Sequence, residues 1–518
     1  MGFTRLLLAA GDPAHEILPL GIRLLFAALL VGLITSLALE EKLHAKKSVI
    51  AGLFAVVCLL AGAVCGILPF DDIVVGSDFL QQHGPVEGDL EANEAGEHEH
   101  IEVAEVSEET ALGSEDSHPL HVDGHRIHMP VYIPGIDWGV IAIILGSSLF
   151  VDVVSRSGLF TWVAIRVTKA SGGDPFLLLA FYGVMTVVFS AVLNNVTAMI
   201  IVGSLTAVSL EKLGQKEKLL GFLLTEGLLT NVGGLLTLIS SVPNIIIGTA
   251  AGISFVEFFL KASPYVAMTT IVTIWMGAKI NGVHRLSDDQ QRAEAARLVA
   301  SFDENDGIES GAFFWFGAVM TGLFIVTIAT TSVLPWISDL GMGFVALAFA
   351  AMMLVRYKAV ADTLYQAIDW DLLGFFASLF VVVNVMEHAQ VLGMIGDGLK
   401  HLMALGERAG PAALLITSAC ASSVTDNIPL AAMLAKILGG LTPEELAQYG
   451  GDRLWWAVVF GANLGGNITP IGSASTLVAV TIMHKHKLLM TFGLFVKAAI
   501  PYAVIQIALA TMYVLTVL

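Results

Sequence analysis

The stretch GANLGGNITPIGS (residues 461–473) sets asparagine, paired glycine, threonine and serine inside an apolar run. The stretch TNVGGLLTLISS (residues 230–241) carries the same kinds of polar residue in the same order, 232 positions earlier. The same offset relates SAVLNNVTA to SSVTDNIPL, and one IDW tripeptide (136–138) to another (368–370). Polar residues kept in register through a hydrophobic chain indicate an internal duplication. Paired interruptions of membrane helices in two halves of a chain are typical of the binding site of a secondary transporter.

The composition of the chain predicts a membrane protein. Of its 518 residues, 56% are hydrophobic and 14% are charged, and the mean hydropathy is +0.79. Apolar runs such as 17–39, 49–68 and 311–336 reach the roughly 20 residues that an α-helix needs to cross a bilayer. We predict an all-α polytopic protein with about 10–13 membrane segments, some of them discontinuous. Its partners would be the lipid bilayer and either a small ion or a small anion as substrate, and no nucleic acid.

The duplicated motifs and the changes of composition divide the chain. The predicted regions are two N-terminal spans (1–70), an acidic, histidine-rich extramembrane loop (71–134), a first repeat (135–283), a cytoplasmic loop (284–308), linking spans (309–356) and a second repeat (357–518).

Most of the net charge of −19 lies in the predicted loop after the second span. Residues 71–130 hold sixteen acidic residues and one arginine, together with seven of the fourteen histidines. A metal ion bound by imidazoles on one helical face is one interpretation. A solvated acidic connector is the other, because neither histidine spacing is that of a recognised closed zinc site. The candidate metal ligands are His98, His100, His118, His121, His125 and His128.

Basic residues in short loops predict the orientation of the chain. Lys42, Lys46 and Lys47 follow the first span and are expected on the cytoplasmic side, which puts the acidic loop outside. Further basic residues place the region 279–309 on the cytoplasmic side. The first IDW tripeptide therefore starts outside and the second starts inside. The two repeats are predicted to have opposite topology, as inverted repeats do.

The interruptions in each repeat predict a binding site. Backbone groups without hydrogen bonds are tolerated at membrane depth only when they are buried in protein or line a watery cavity. Amide and hydroxyl side chains beside the breaks can bind a hard cation or cradle an anion, whereas a purely structural role between helices is the competing interpretation. The predicted ion-binding or substrate-binding residues are Asn194, Asn195, Thr197, Asn231, Ser241, Asn244, Asp426, Asn427, Asn463, Asn467, Thr469 and Ser473.

Ionisable residues at membrane depth are candidates for proton coupling. Asp426 is the first candidate, because it lies at a predicted helix break and replaces Asn194 of the other repeat. A carboxylate there can hold either Na⁺ or a proton, and mutually exclusive occupancy is a sufficient basis for antiport. Asp152, expected in the middle of a span, and Glu226, five residues before Asn231, are further candidates.

The motifs LNNVTAMIIVGSL, TNVGGLLTLISSVPNIIIG, TDNIPLAAM and GANLGGNITPIGSASTLVA resemble signatures of the ion transporter superfamily. Within it, the chain is similar to the citrate transporter-like group of NhaD-type Na⁺/H⁺ antiporters, ArsB-type arsenite permeases and the melanosomal P protein. The resemblance runs from roughly residue 137 to residue 518. It implies two inverted repeats, each with a re-entrant hairpin and an unwound helix, that transport by alternating access, commonly as a homodimer. We expect an integral protein of a bacterial inner (cytoplasmic) membrane.

Two features depart from the pattern of this group. The dicarboxylate branch usually carries a Ser-Asn-Thr triplet at its hairpin tips, where this chain has SSVPN (240–244) and SAST (473–476). Antiporter and P-protein relatives often show an acidic residue where this chain has Arg156. Both departures bear on the identity of the substrate.

Two transport functions fit the sequence. Exchange of Na⁺ (or Li⁺) for H⁺ is favoured by Asp426 and its neighbouring amides, by the lack of Arg or Lys at the breaks and by the antiporter-like motifs. The alternative is a Na⁺-coupled or H⁺-coupled permease for arsenite, citrate or a related anion, because helix N-termini attract anions without a basic side chain. An enzyme is not expected, since the chain has no His-Glu-x-x-His motif. No cofactor is predicted, and Na⁺ and H⁺ would be the coupling ions.

Overall fold

The protein, seen here as a computed structural model, is almost entirely helical. The structure describes residues 18–68, 73–75, 125–127, 132–133, 135–331, 333–335, 337–357, 365 and 368–518. These residues form two compact units, which are described separately. The large unit holds the described residues of Met1–Ile67 and Gly135–Leu518, and the small unit holds those of Leu68–Pro134.

The large unit begins with three helices and continues with two series that a connecting segment separates. The first three helices are α1 (Leu20–Ala38), α2 (Glu40–Leu43) and α3 (Lys47–Cys65). The first series is α4 (Trp138–Ser155), α5 (Leu159–Ala170), α6 (Pro175–Val192), α7 (Asn195–Lys212), α8 (Leu219–Gly233), α9 (Val242–Ala250) and α10 (Phe255–Ile280). The connecting helices are α11 (Asp289–Ala300), α12 (Gly311–Ala329) and α13 (Ile337–Arg356). The second series is α14 (Trp370–His388), α15 (Val391–Met403), α16 (Ala409–Val424), α17 (Asn427–Gly439), α18 (Pro443–Tyr449), α19 (Asp452–Gly465), α20 (Ala474–Lys485) and α21 (Phe492–Thr516).

The two series match helix for helix at the offset seen in the sequence. Trp138 and Trp370 begin α4 and α14, and Asn195 and Asn427 begin α7 and α17. Four of the seven pairs begin 232 residues apart, and the other three begin within five residues of that spacing. The short helix α18 is an addition to the second series. The duplication is thus visible in the helix bounds, while the opposite orientation of the two copies stays a prediction.

Carboxylate caps determine where the first helix of each series begins. Asp137 accepts a hydrogen bond from the backbone N–H of Val140 at 3.0 Å. Asp369, its equivalent, accepts one from the N–H of Leu372 at 2.9 Å. Such caps satisfy an N–H group that an α-helix leaves unpaired at its start, and they contribute about 1 kcal/mol. The repeated IDW tripeptide is therefore a helix-start signal in both series.

Each series contains two helix interruptions, as the sequence predicts. The first separates α6 from α7 and α16 from α17, where Asn194 and Asp426 have extended backbone conformations. The second separates α8 from α9 and α19 from α20. The chain leaves the helix after Gly233 and Gly465, and a short 3-10 turn (Leu238–Ser240) follows in the first series. All four breaks lie at residues that the 232-residue offset relates.

Glycines at the second interruption permit close helix contacts. A Cβ atom on Gly465 would lie 2.3 Å from the backbone oxygen of Ala419 and 2.7 Å from the Cβ of Ser422. The equivalent Gly233 would bring a Cβ to 2.7 Å from the Cα of Val187. Membrane helices lack a hydrophobic drive to associate and rely on such close packing. The paired glycines therefore hold α16 against α19 and α6 against α8.

The helices of the large unit are those of an integral membrane protein. Eight of the described helices are long and apolar enough to cross a bilayer, namely α1, α3, α4, α6, α10, α12, α14 and α21. Three shorter helices are also apolar: α16, α17 and the part of α13 that spans Leu340–Arg356. Large apolar side chains such as Trp315 and Val326 of α12 are exposed, as expected for a surface that faces lipid.

The small unit contains a two-stranded ribbon. Strand β1 (Ile73–Val75) pairs antiparallel with strand β2 (His125–Ile127), with Val74 opposite Arg126. The acidic segment between the strands (76–124) lies outside the described residues, and so does His128, which follows β2. Five of the candidate metal ligands are therefore not described: His98, His100, His118, His121 and His128. Both interpretations of that segment therefore stay open.

We expect Gly465→Ala to lower the free energy of unfolding by about 1–3 kcal/mol, because an added Cβ would overlap backbone atoms of α16. The matched control is Gly493→Ala, since no atom lies within 4 Å of a Cβ placed there on α21. Thermal unfolding of the purified proteins in detergent measures both variants. Equal midpoints for the two variants would contradict the close contact between α16 and α19.

Candidate functional site

A cavity of about 420 Å³ lies where the interrupted helices of the two series meet. Four helices begin at its wall, namely α7 and α9 from the first series and α17 and α20 from the second. The starts of α3 and α14 and the last two turns of α4 also contribute side chains to the lining. Both copies of the duplicated motifs thus supply the wall of one cavity.

The helix starts give this wall a partial positive charge. Unpaired N–H groups at the start of an α-helix are equivalent to roughly half an elementary charge. Asn194 caps α7 by accepting a hydrogen bond from the N–H of Thr197 at 2.8 Å. The equivalent Asp426 caps α17 through the N–H of Ile428 at 3.1 Å. The caps are therefore an uncharged amide in one series and a carboxylate in the other.

Serine and asparagine side chains join the two series by reciprocal hydrogen bonds. Ser241 donates to Oδ1 of Asn463 at 2.8 Å, and the equivalent Ser473 donates to Oδ1 of the equivalent Asn231 at 2.9 Å. The amide of Asn463 also donates to Oδ1 of Asn244 at 2.8 Å. Each second interruption is therefore held by a residue from the other series.

The buried amides form a chain that leads away from the cavity. Asn231 donates to Oδ1 of Asn467 at 2.9 Å, and Asn467 donates to Oε1 of Gln506 at 2.8 Å. Gln506 in turn donates to the hydroxyl of Thr273 at 3.0 Å. All four side chains are buried, so each amide group is satisfied by protein rather than by solvent. This chain links the interruptions to α10 and α21.

Threonine hydroxyls tie the second interruption of each series to the first. Thr237 donates to the backbone oxygen of Ala191 at 2.6 Å. The equivalent Thr469 donates to the backbone oxygen of Ser423, also at 2.6 Å. These bonds satisfy carbonyl groups near the ends of α6 and α16, which have no partner within the helix. Thr469 therefore has a structural role at the edge of the site.

Lys47 forms an ion pair with Asp426, with 2.5 Å between Nζ and Oδ2. Lys47 is the first residue of α3 and lines the cavity. The carboxylate of Glu40 lies 3.9 Å from the same ammonium group. The expectation that no lysine lies at the breaks is therefore wrong. The segment that connects α1 to α3, together with the first residue of α3, folds back onto the site, which the linear sequence does not show.

Three carboxylates belong to the lining itself. Asp371 accepts hydrogen bonds from the backbone N–H of Ser48 at 3.3 Å and from the hydroxyl of the same residue. Asp369 caps α14. Asp152 is paired with Arg156 at 3.1 Å. The prediction of Asp152 in the middle of a span is wrong, because α4 ends three residues later. Arg156, one turn later, is its partner.

Glu226 is fully buried in α8 and does not line the cavity. Its Oε1 accepts a hydrogen bond from the hydroxyl of Thr206 at 2.7 Å. Its Oε2 has no hydrogen-bond partner among the described residues. A role in proton coupling would therefore require a path between the core of α8 and the cavity.

The structure divides the predicted site residues into two groups. Those that line the cavity are Asn194, Asn195, Thr197, Ser241, Asn427 and Ser473. Those that lie behind the wall in the hydrogen-bonded framework are Asn231, Asn244, Asn463, Asn467 and Thr469. Asp426 connects the two groups, since it caps α17 and contacts the cavity-lining Lys47.

Sequence reasoning missed seven polar residues of the lining: Lys47, Ser148, Ser155, Ser240, Asp369, Asp371 and Ser475. The repeated IDW tripeptide contains Asp369, so the duplication itself was a signal for that residue. Ser475 follows Ser473 in the second motif. No pattern connects Lys47 with its partner, because 379 residues separate the two in the chain.

A metal site is not found in the part of the chain that the structure describes, where no three His, Cys, Asp or Glu side chains cluster. Of the candidate histidines, His125 alone belongs to the described residues, in strand β2. The predicted metal ligands therefore remain untested.

Comparison with known proteins agrees with the fold and the motifs. The family model of the citrate transporters matches residues 120–461. A 46 kDa membrane protein of Mycobacterium leprae is 30% identical over 386 residues, which cover 73% of this chain and 86% of that protein. The P protein of Homo sapiens is 23% identical over 468 residues, which cover 76% of this chain and 55% of that protein.

A solved structure shares the fold. The crystal structure of the YdaH transporter of Alcanivorax borkumensis, which has an unusual topology, aligns with a TM-score of 0.52 and 14% identity. The alignment covers 77% of this chain and 92% of that one. The family match spans most of the chain, and the mycobacterial relative is similar over most of its length. The chain therefore belongs to the citrate transporter family of the ion transporter superfamily, and it is a membrane transporter.

Proposed function

We propose that the protein is a secondary active transporter that exchanges Na⁺ or Li⁺ for H⁺ by alternating access. The observation that carries this proposal is Asp426, a carboxylate at the start of a helix beside the cavity where the two series meet. The cavity lining adds three aspartates and one lysine, so acidic groups exceed basic ones. Such an excess favours cations over anions.

Asp426 is suited to hold either of two ions. Its Oδ1 is used by the cap of α17, and its Oδ2 points to the ammonium of a cavity-lining residue. A cation needs the ionised carboxylate, whereas a proton removes its charge. The two ions therefore exclude each other at one site, and this exclusion couples their opposite movements. Asn427 and Asn194 can supply further oxygen ligands from the lining.

Alternating access would require the two series to move relative to each other about this cavity. The reciprocal bonds of Ser241 and Ser473 cross between the series and satisfy buried amides on both sides. In this proposal they form the hinge, and the helix starts form the mobile wall. The inverted topology, the re-entrant hairpins and the homodimer implied by the resemblance are parts of the same proposal. So are a bacterial inner membrane and an outward-facing acidic loop.

A second candidate is a coupled anion permease for arsenite, citrate or a related anion. The observation that favours it is the convergence of four helix N-termini on the cavity, since each start attracts negative charge. The name of the family also describes citrate transport. Against it stand the three lining aspartates, which would repel a carboxylate substrate.

We expect Asp426→Asn to abolish cation-dependent proton movement in proteoliposomes. Loss of a buried charge that binds an ion makes the free energy of binding less favourable by about 2–5 kcal/mol. This corresponds to a fall in affinity of roughly thirtyfold or more. Asparagine caps helices well and stands at the equivalent position in the first series, so the variant should fold. A pH-sensitive dye inside the vesicles reports the exchange when Na⁺ is added.

The matched control for this experiment is Asp397→Asn, which removes a carboxylate from the exposed face of α15. It should exchange Na⁺ for H⁺ at the wild-type rate. Full exchange by Asp426→Asn would contradict the assignment of this residue as the coupling site.

Uptake of radiolabelled citrate and arsenite by the same vesicles separates the two candidate functions. If the protein exchanges cations, we expect no uptake of either anion above that of empty vesicles. Uptake of an anion without any Na⁺-dependent pH signal would replace the first proposal with the second.

A further inference from the structure

Lys47 reaches the site from outside both duplicated series. It begins α3, which precedes the first series, and it lies outside residues 120–461, which match the family model. Its Nζ atom nevertheless lies 2.5 Å from Oδ2 of Asp426. A residue outside the matched region therefore contacts the carboxylate that caps α17 beside the cavity.

The ammonium of Lys47 takes the position that a transported cation would need. Asp426 directs Oδ1 to the N–H of Ile428, which leaves Oδ2 for a cation. That oxygen contacts Lys47. In the first series the equivalent cap is Asn194, which carries no charge to be balanced. The lysine thus accompanies the carboxylate of this pair of equivalent caps.

Lys47 has a second carboxylate within reach. Oε2 of Glu40 lies 3.9 Å from the same Nζ atom, on α2. The side chain of Lys47 is 27% exposed, that of Glu40 24% and that of Asp426 14%. A lysine ends in a compact charge on a flexible stem of four carbons, so its ammonium can exchange between two acceptors without backbone movement.

The backbone at the start of α3 is held in place. Ser48 donates to Asp371 of α14 through both its N–H and its hydroxyl. A Cβ on Gly374 of α14 would lie 3.3 Å from the Cβ of Ser48, so the two helices are in close contact here. The side chain of Lys47 is therefore the part that is free to move.

We propose that Lys47 sets the apparent cation affinity of the transporter, because its ammonium neutralises Asp426 when no cation is bound and must be displaced toward Glu40 for a cation to bind. This inference rests on the proposed cation exchange. Lys47 is then a third competitor for Asp426, beside the cation and the proton, and it is tethered to the protein. The charge near Asp426 stays balanced in the unloaded state, so the cost of an unpaired buried carboxylate is avoided.

The experiment measures Na⁺ binding by the full-length protein in detergent. The readout is the rise of the unfolding midpoint as Na⁺ is added. The pH is fixed at about 8, where free carboxyl groups are ionised. The salt concentration is kept constant with choline chloride. We expect Lys47→Gln to lower the apparent Kd for Na⁺ about tenfold, which corresponds to removing a competing pair worth about 1.4 kcal/mol. Lys47→Arg keeps the competitor and should stay within about twofold of wild type.

We expect Glu40→Gln to change the apparent Kd for Na⁺ in the opposite direction. It removes the second acceptor for the ammonium, so displacement becomes harder and the apparent Kd should rise. The matched control is Lys46→Gln, which removes the exposed neighbouring charge and should leave the Kd unchanged. If the ion pair had a purely structural role, its removal in Lys47→Gln would lower the unfolding midpoint in the absence of Na⁺. The Kd for Na⁺ would then stay unchanged.

The outcomes distinguish this inference from the proposed function. If Asp426→Asn loses Na⁺ binding while Lys47→Gln binds as wild type or more weakly, cation exchange stands and the role of Lys47 falls. If Asp426→Asn binds Na⁺ as wild type does, the proposed cation site itself is wrong. If Lys47→Gln does not fold, an unchanged Kd in Glu40→Gln overturns the inference.

Discussion

A helix that stops inside a membrane exposes N–H and C=O groups where no water can satisfy them, and this constraint governs the large unit. Each unsatisfied group in hydrocarbon would cost several kcal/mol. The protein meets the constraint with side chains beside the breaks. Ser190 donates to the backbone oxygen of Thr230, and the equivalent Ser422 donates to that of Ala462. The polar residues that make the site possible are therefore first of all those that make the breaks possible.

Much of the fold could be predicted because the duplicated residues are the ones that break, cap and pack the helices. Gly465 and Asp369 have local effects, a close contact and a helix start, which depend on a few neighbours in the chain. Local effects repeat when the sequence repeats, so the offset of 232 reappears in the helix bounds. The same reasoning grouped Ser241 with Asn463, although it could not tell the wall of the cavity from the framework behind it.

The rest of the site could not be predicted, since it depends on tertiary contacts without a sequence pattern. From the sequence, Lys47 is expected in a loop after the first span. Only the fold of α2 and α3 brings it to Asp426. Asp152 reads as a carboxylate within a span, yet Arg156 one turn later makes it half of a surface pair at a helix end. Both errors involve a long basic side chain, that of Lys47 or Arg156, which reaches a carboxylate whose role then depends on the pair.

The reciprocity of the Ser241 and Ser473 bonds has a consequence for the origin of the protein. Each serine satisfies an asparagine of the other series, so neither series can complete its own interruption. A single ancestral copy with these residues would have carried an orphaned amide in its core. Two such subunits could have satisfied each other, and fusion of the two genes would have made that association permanent. The contact between the two series thus resembles an isologous interface, in which each half supplies to the other the same hydrogen bond that it receives.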